Sequence, residues 1–312
     1  MRPLASSLMK KLLCMLLLAA LPGAAYCQTS GAAAAPAYPH MVLNNTELRP
    51  VHSQVTNRDY LLYIAYPDSY ASHPERKYPV VYVTDGYWSF VKMSSLGSSL
   101  WYDQIVPEYI LVGIGYAGEN VDYNKERMYE LSPTKQTYGW AKGVEGQGGS
   151  RKFLDAIKTE LIPYVESNTR ADSSFRVMVG SSMGGLFSLF CMYEEPGLFQ
   201  GIVAGSPAID WDHRWIFRRE SQLRSAALGD DYKGTFHVPC RLFMGVGSAE
   251  WPDFVATIQA FDTILRAGRY ADFAYRFQLI EGERHGGNTA ELYNRGLRFV
   301  FEPQMPSKVI PE

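Results

Sequence analysis

The sequence has 312 residues, of which 46% are hydrophobic and 20% charged, an ordinary globular balance. One large α/β domain is as reasonable at this length as two small ones, with ample chain for a buried core. The formal net charge of −2 offers no basic excess of the kind that nucleic acid or an anionic membrane would select.

At the N-terminus, Arg2, Lys10 and Lys11 precede the apolar run "LLCMLLLAALPGAA", which ends in small residues. Basic, apolar and small-residue zones in that order are the pattern of a secretory signal peptide, here over 1–27. The run is too short for a comfortable membrane span, and no later segment approaches ~20 unbroken apolar residues. Cleavage after Cys27 places Ala25 and Cys27 at the positions that need small side chains. A lipidated Cys27 fits less well, because bulky Tyr26 precedes it. The chain is therefore expected to be exported, to a periplasmic or secreted location, with no stable membrane insertion afterwards. Residues 28–48, which begin "QTSGAAAAPAYPH", read as a flexible lead-in.

Strand-like and helix-like segments then alternate over 49–302, ahead of a short tail at 303–312. "PVHSQV" and "DYLLYIAYP" flank turn residues and suggest an antiparallel pair. "YPVVYVTDG" and "YILVGIGY" are nearly unbroken apolar runs ending in Gly or Gly-Tyr, as in strands buried on both faces. In "GSRKFLDAIKTELIPYVESNT" the apolar residues recur at three- and four-residue steps, which predicts an amphipathic helix. "FRVMVGSS" is a further buried strand, followed by the helix "MGGLFSLFCMYEE". Strands follow at "GIVAGSP", "CRLFMGVG" and "FAYRFQLIEG", with helices at "FVATIQAFDTILRAG" and "TAELYNRGLRFVF". Buried strands alternating with amphipathic helices predict a mostly parallel sheet with helices on both faces. Cys191 and Cys240 lie inside apolar runs and are expected to be buried free thiols rather than a disulfide. No CxxC or HxxH pair suggests a metal, and no cofactor motif is present.

Chemistry enters at Gly180-Ser181-Ser182-Met183-Gly184-Gly185, which fits G-x-S-x-G in one frame, with Ser182 at its centre. A nucleophile at the apex of a strand-to-helix turn sits in strained backbone, and flanking side chains there would collide. The alternative is a glycine-rich packed turn without chemistry. A serine needs a base held by an acid, and in sheets of this type the chain order is Ser, acid, His. Of the later histidines, His213 lies in "DWDHRW" and His237 precedes a strand. His285, in a Gly-rich loop after the last strand, has the position of a base. Glu250 and Asp253 both follow the preceding strand; Glu250, nearer its end, is preferred as the acid, although either could cap the next helix. Two backbone amides would stabilise an oxyanion: one from Met183, the other from Tyr87, with Trp88 as second choice.

Together "YPVVYVTDG", "RMYELSPT", "GGSRKFLDAIKTELIPYVE", "GSSMGGLFSLF", "GSPAIDW", "GVGSAE" and "ERHGG" resemble the esterase-D-like esterases of the α/β-hydrolase fold, from about residue 50 to about residue 300. The resemblance implies an α/β-hydrolase in which Ser182 is nucleophile, His285 base and Glu250 acid. Asp85-Gly86 and the Arg127 segment resemble the siderophore-esterase branch. Thr84 stands where that group often has Leu. The segments "YWSFVKMSSLGSSLWYDQ" and "DWDHRWIFRRESQLRS" read as aromatic and basic insertions flanking Ser182. Trp88, Arg127, Trp211, Arg214 and Trp215 are accordingly candidate substrate contacts, with ordinary helix packing as the alternative. The expected partner is a small-molecule ester of the siderophore or phenolic kind. An acyltransferase using the same residues and a non-catalytic binding protein on the same scaffold are the competing readings.

Overall fold

Thr46–Ser53 (β1) and Arg58–Ala65 (β2) pair antiparallel, and β2 also runs antiparallel to Ile110–Tyr116 (β4). Beyond β4 every pairing is parallel. Tyr78–Val83 (β3), Ala171–Ser181 (β5), Gly201–Gly205 (β6), Phe236–Gly247 (β7) and Tyr270–Ile280 (β8) complete an eight-stranded sheet in the order β1-β2-β4-β3-β5-β6-β7-β8. This is the sheet of an α/β-hydrolase. It is seen in a computed structural model that describes residues 41–305, except 230 and 232. The expected signal peptide and most of the lead-in and tail lie outside the described residues. β1 begins at Thr46, within the unit Leu43–Glu312.

The near-continuous apolar strands sort their side chains by alternation. Val81, Val83, Val177, Val179, Val203 and Phe243 enter one core, closed by helices Gly86–Tyr102 (α1) and Thr289–Phe301 (α8). Tyr82, Met178, Ile202, Leu242 and Met244 enter the other. Met183–Glu194 (α5), Trp211–Leu228 (α6) and Pro252–Ala267 (α7) cover that face. So does the helix that begins as Ser150–Ala156 (α3), loosens into a π turn at Ile157–Leu161 and continues as Ile162–Asn168 (α4). Pro163, which has no N–H to donate, sits at the start of α4 and accounts for the break in the ordinary ladder.

The two aromatic segments read from sequence as insertions are instead α1 and α6, the helices that follow β3 and β6. The dense Trp, Tyr and Arg content hid their periodicity. At the start of α6, Asp212, His213 and Arg214 form a left-handed turn, with φ of 45°, 53° and 59°. A side chain normally resists that conformation. Here it is held from outside: Thr134 Oγ1 donates to Asp212 Oδ2 (2.8 Å), the His213 amide donates to Tyr138 Oη (2.7 Å), and the two rings stack at 3.8 Å.

Cys191 and Cys240 are free and buried, as expected. Burial pushes both thiols up, Cys240 to about 12. Among the described residues no helix is long and apolar enough to cross a membrane.

Tyr123–Glu130 (α2) ends in a buried acid. Glu130 has no exposed surface and accepts a 2.6 Å hydrogen bond from Tyr60 Oη, with Arg58 3.6 Å away. Desolvation dominates and raises its pKa from 4.5 to about 7, against the opposing pull of Tyr60 and Arg58. An acid whose pKa rises on folding takes up a proton, so its contribution to stability falls as pH climbs from about 4.5 to about 7. Glu130→Gln keeps the acceptor and removes the titration. We expect the variant to gain about 1–3 kcal/mol on wild type between pH 5 and pH 8, read as the change in urea unfolding free energy. An unchanged difference between the two proteins over that range would contradict the assignment.

Candidate active site

Strand β5 ends at Ser181, α5 begins at Met183, and Ser182 alone makes the bend. Its φ of 58° and ψ of −119° are forbidden ground for most side chains. The turn is so tight that a Cβ on Gly180 would lie 2.1 Å from the Gly184 carbonyl oxygen, and one on Gly184 would lie 2.2 Å from Thr84 Oγ1. This is the physical reason for glycine at both positions. The bend is fastened to the neighbouring strand: the Ser182 amide donates to Gly205 O (2.9 Å), and the Ala208 amide donates to Ser182 O (3.0 Å). The Ser182 hydroxyl makes no hydrogen bond among the described residues, and the residue is half-buried.

The next strand ends supply the rest. Ser182, Ser206, Glu250 and His285 follow β5, β6, β7 and β8, which are successive neighbours in the sheet. His285 Nδ1 lies 2.5 Å from Glu250 Oε2, so the imidazole N–H donates to the carboxylate. The other oxygen, Oε1, accepts from Ser206 Oγ (2.6 Å), the Gly247 amide (2.8 Å) and Asn288 Nδ2 (2.5 Å). Asn288 Nδ2 also donates to Ser206 Oγ at 2.8 Å. The Glu250 side chain has no exposed surface. Burial opposes its ionisation, but the hydrogen bonds from His285, Ser206 and Gly247 outweigh it and hold the carboxyl below its ordinary range. His285 keeps 30% of its side chain exposed, beside Trp251 (5.5 Å) and Phe254 (5.6 Å). A cavity of about 300 Å³ opens there, lined by Ala249, Glu250, Trp251, Pro252, Arg284, His285 and Gly286. Asp253, the other candidate acid, is exposed in the first turn of α7.

Ser206 and Asn288 were not singled out in the sequence. Ser206 takes a left-handed φ of 38° in "AGSP", and Asn288 precedes α8 in "HGGN". Neither fits a pattern that sequence alone distinguishes from a turn or a cap.

On the other side of Ser182, α1 and α5 both begin at the carboxyl ends of strands, so Tyr87 and Met183 sit in first turns whose amides have no intrahelical acceptor. Gly86 packs against the backbone of β4, where a Cβ would lie 2.9 Å from Gly113 C and Ile114 O. Tyr87 and Trp88 are 56% and 43% exposed, and Tyr87 stacks on Tyr123 at 4.6 Å.

The remaining candidate substrate contacts divide. Trp211 is corrected: it is 1% exposed, with its indole N–H on Thr134 O, and presents no face to a ligand. Trp215 packs on Phe190 at 5.7 Å against the core. Arg214 is exposed. The guanidinium of Arg127 pairs with the Asp85 carboxylate through Nε and one terminal nitrogen, at 2.8 and 3.0 Å. Among the described residues no cluster of three or more His, Cys, Asp or Glu could hold a metal ion.

With this geometry in hand, a family model described as "Putative esterase" matches residues 53–251. The chain is similar to the ferri-bacillibactin esterase BesA of Bacillus subtilis, at 27% identity over 84% of this chain and 91% of that one. It also resembles the siderophore enterobactin esterase of Emericella nidulans, at 30% identity over 38% of this chain and 42% of that one. Among solved structures, the BES protein from Bacillus cereus superposes with a TM-score of 0.73 at 26% identity, over 85% of this chain and 98% of that one.

The short Glu250–His285 contact should give one strongly downfield imidazole N–H proton resonance. We expect Glu250→Gln to abolish it and Asp253→Asn to leave it in place; the opposite pattern would reassign the histidine's partner.

Proposed function

The chain belongs to the esterase family matched by that model and is a carboxylester hydrolase, and on this premise we propose that it is an exported serine esterase acting through Ser182, His285 and Glu250 on siderophore-type or phenolic esters. The observation that carries the site reading is the 2.5 Å hydrogen bond between Glu250 and His285, which follow the second and third strands beyond the Ser182 bend in the parallel part of one sheet. With Nδ1–H committed to the carboxylate, the ring's free lone pair is on Nε2, the atom suited to take the serine proton. The Ser182 hydroxyl, uncommitted within the protein, is left for that transfer.

Ser182 Oγ attacks the ester carbonyl as His285 takes the proton. The resulting oxyanion accepts hydrogen bonds from the first-turn amides of Tyr87 and Met183, reinforced by the dipoles of α1 and α5. The tetrahedral intermediate collapses, His285 returns the proton to the leaving alcohol, and an acyl-serine remains. Water, deprotonated by the same imidazole, then releases the acid and restores the serine. Glu250 stays ionised throughout and steadies the imidazolium that forms in each half.

Siderophore-type or phenolic esters are favoured by two independent supports. The relatives at hand are named for ferri-bacillibactin and enterobactin hydrolysis. Exposed Tyr87, Trp88 and Trp251 also offer aromatic faces beside the proposed amide and base. Export rests on the basic-apolar-small pattern of residues 1–27.

Hydrolysis of p-nitrophenyl acyl esters tests the core of this reading. Ser182→Ala should lose at least ~10³-fold in kcat with an unchanged melting curve. Residual activity near wild type would remove Ser182 as nucleophile. Across a panel of tri-catecholate, feruloyl and acetyl-sugar esters, kcat/KM should be highest for an aromatic acyl ester, and an acetyl-sugar preference would overturn that part.

A further inference from the structure

We propose that Trp251 and Phe254 are positioning residues that set the plane of the His285 imidazole, as the two walls of a corner in which the ring stands. This deepens the hydrolase reading above and rests on it. The Glu250 hydrogen bond holds one ring nitrogen, which sets the direction in which the imidazole points and leaves the tilt of its plane open. The loop that carries the residue does little to close that freedom. His285 is followed by Gly286 and Gly287, the most permissive of residues, and a Cβ on Gly286 would meet nothing within 4 Å.

The start of α7 supplies what the loop lacks. Trp251 directly follows Glu250, so the acid and the first wall come from one dipeptide. Trp251 is also the last residue before α7, and Pro252 opens that helix. A residue before proline is confined to extended backbone, and Trp251 obeys, at φ −59° and ψ 130°. Its carbonyl oxygen accepts the Val255 amide at 3.0 Å, which ties it to the first turn. Phe254, three residues on, is anchored against the core. The two rings meet edge to face, with centroids 6.1 Å apart and planes at 89°. The imidazole stands in the angle between them, 5.5 Å from Trp251 at 54° and 5.6 Å from Phe254 at 75°. Tilting out of that corner costs contact with one wall or the other. The cavity of about 300 Å³ lined by Trp251, Pro252 and His285 gives the ring room to swing once a wall is removed. A base that keeps its plane presents Nε2 along one line, and misalignment of that kind costs rate rather than binding.

Kinetics and a proton spectrum of the full-length chain separate this role from substrate contact and from plain packing. The substrate is a small aliphatic ester followed by acid release, which brings no ring of its own to the corner. Trp251→Leu should lower kcat about 5–10-fold, and the double variant with Phe254→Leu about 10–10²-fold, with KM nearly unchanged. Trp251→Phe, which keeps a flat wall, should recover most of the single-variant loss. The downfield proton on His285 Nδ1 should broaden in the Leu variants, as the ring gains motion and water reaches it, and sharpen again in Trp251→Phe. A loss confined to KM would make Trp251 a substrate contact and overturn the proposal. So would a Phe variant no better than the Leu one, or a resonance that stays as sharp as in wild type while kcat falls. If wild type hydrolyses no ester, the parent reading fails instead, and the resonance alone still decides whether the walls hold the ring.

Discussion

The arrangement depends on how closely two pieces of backbone approach at one bend. Gly180 meets the carbonyl of Gly184 at a distance that admits only hydrogen, and this closeness forces Ser182 into its strained conformation. Strain of that kind persists only where the surroundings over-determine it. Here they do: the Ser182 amide and carbonyl are both tied to the segment leaving β6, and Thr84 backs the turn from β3. The parallel sheet supplies the rest, because its strand ends line up on one edge and each adds one group beside the last.

Within that edge, electrostatics divides the work between the two oxygens of one carboxylate. Glu250 Oε1 is filled by three donors, which leaves Oε2 as the single acceptor for His285. The network fixes the orientation of the ring as well as the charge of the acid. Across the bend, a second carboxylate, Asp85, is neutralised by Arg127 in a quite different setting. Two acids thus flank one serine, one paired with an imidazole and the other with a guanidinium.

Much of this was legible in the sequence where the signal is local. Continuous apolar runs such as "YPVVYV" mark strands with cores on both faces, and a glycine-framed serine between such a run and a helix marks the bend. Chain order then selects His285 over His213, a residue that instead lies in the left-handed turn at the start of α6. What stayed hidden depends on contacts distant along the chain. Ser206 and Asn288 reach Glu250 from 44 and 38 residues away. Trp211 looked like a ligand contact because composition does not report the Thr134 carbonyl waiting for its indole. The aromatic richness of α1 and α6 likewise blurred a helical period into the semblance of an insertion.

The two buried thiols carry a separate implication for the life of the chain. Cys191 and Cys240 are both walled off by packing and held protonated, so neither is placed to react with an oxidant in solution. The folded domain therefore has no covalent link to make among its described residues and none to lose. Its folded core is thus built with reduced sulfur, and no cross-link among the described residues sets its stability.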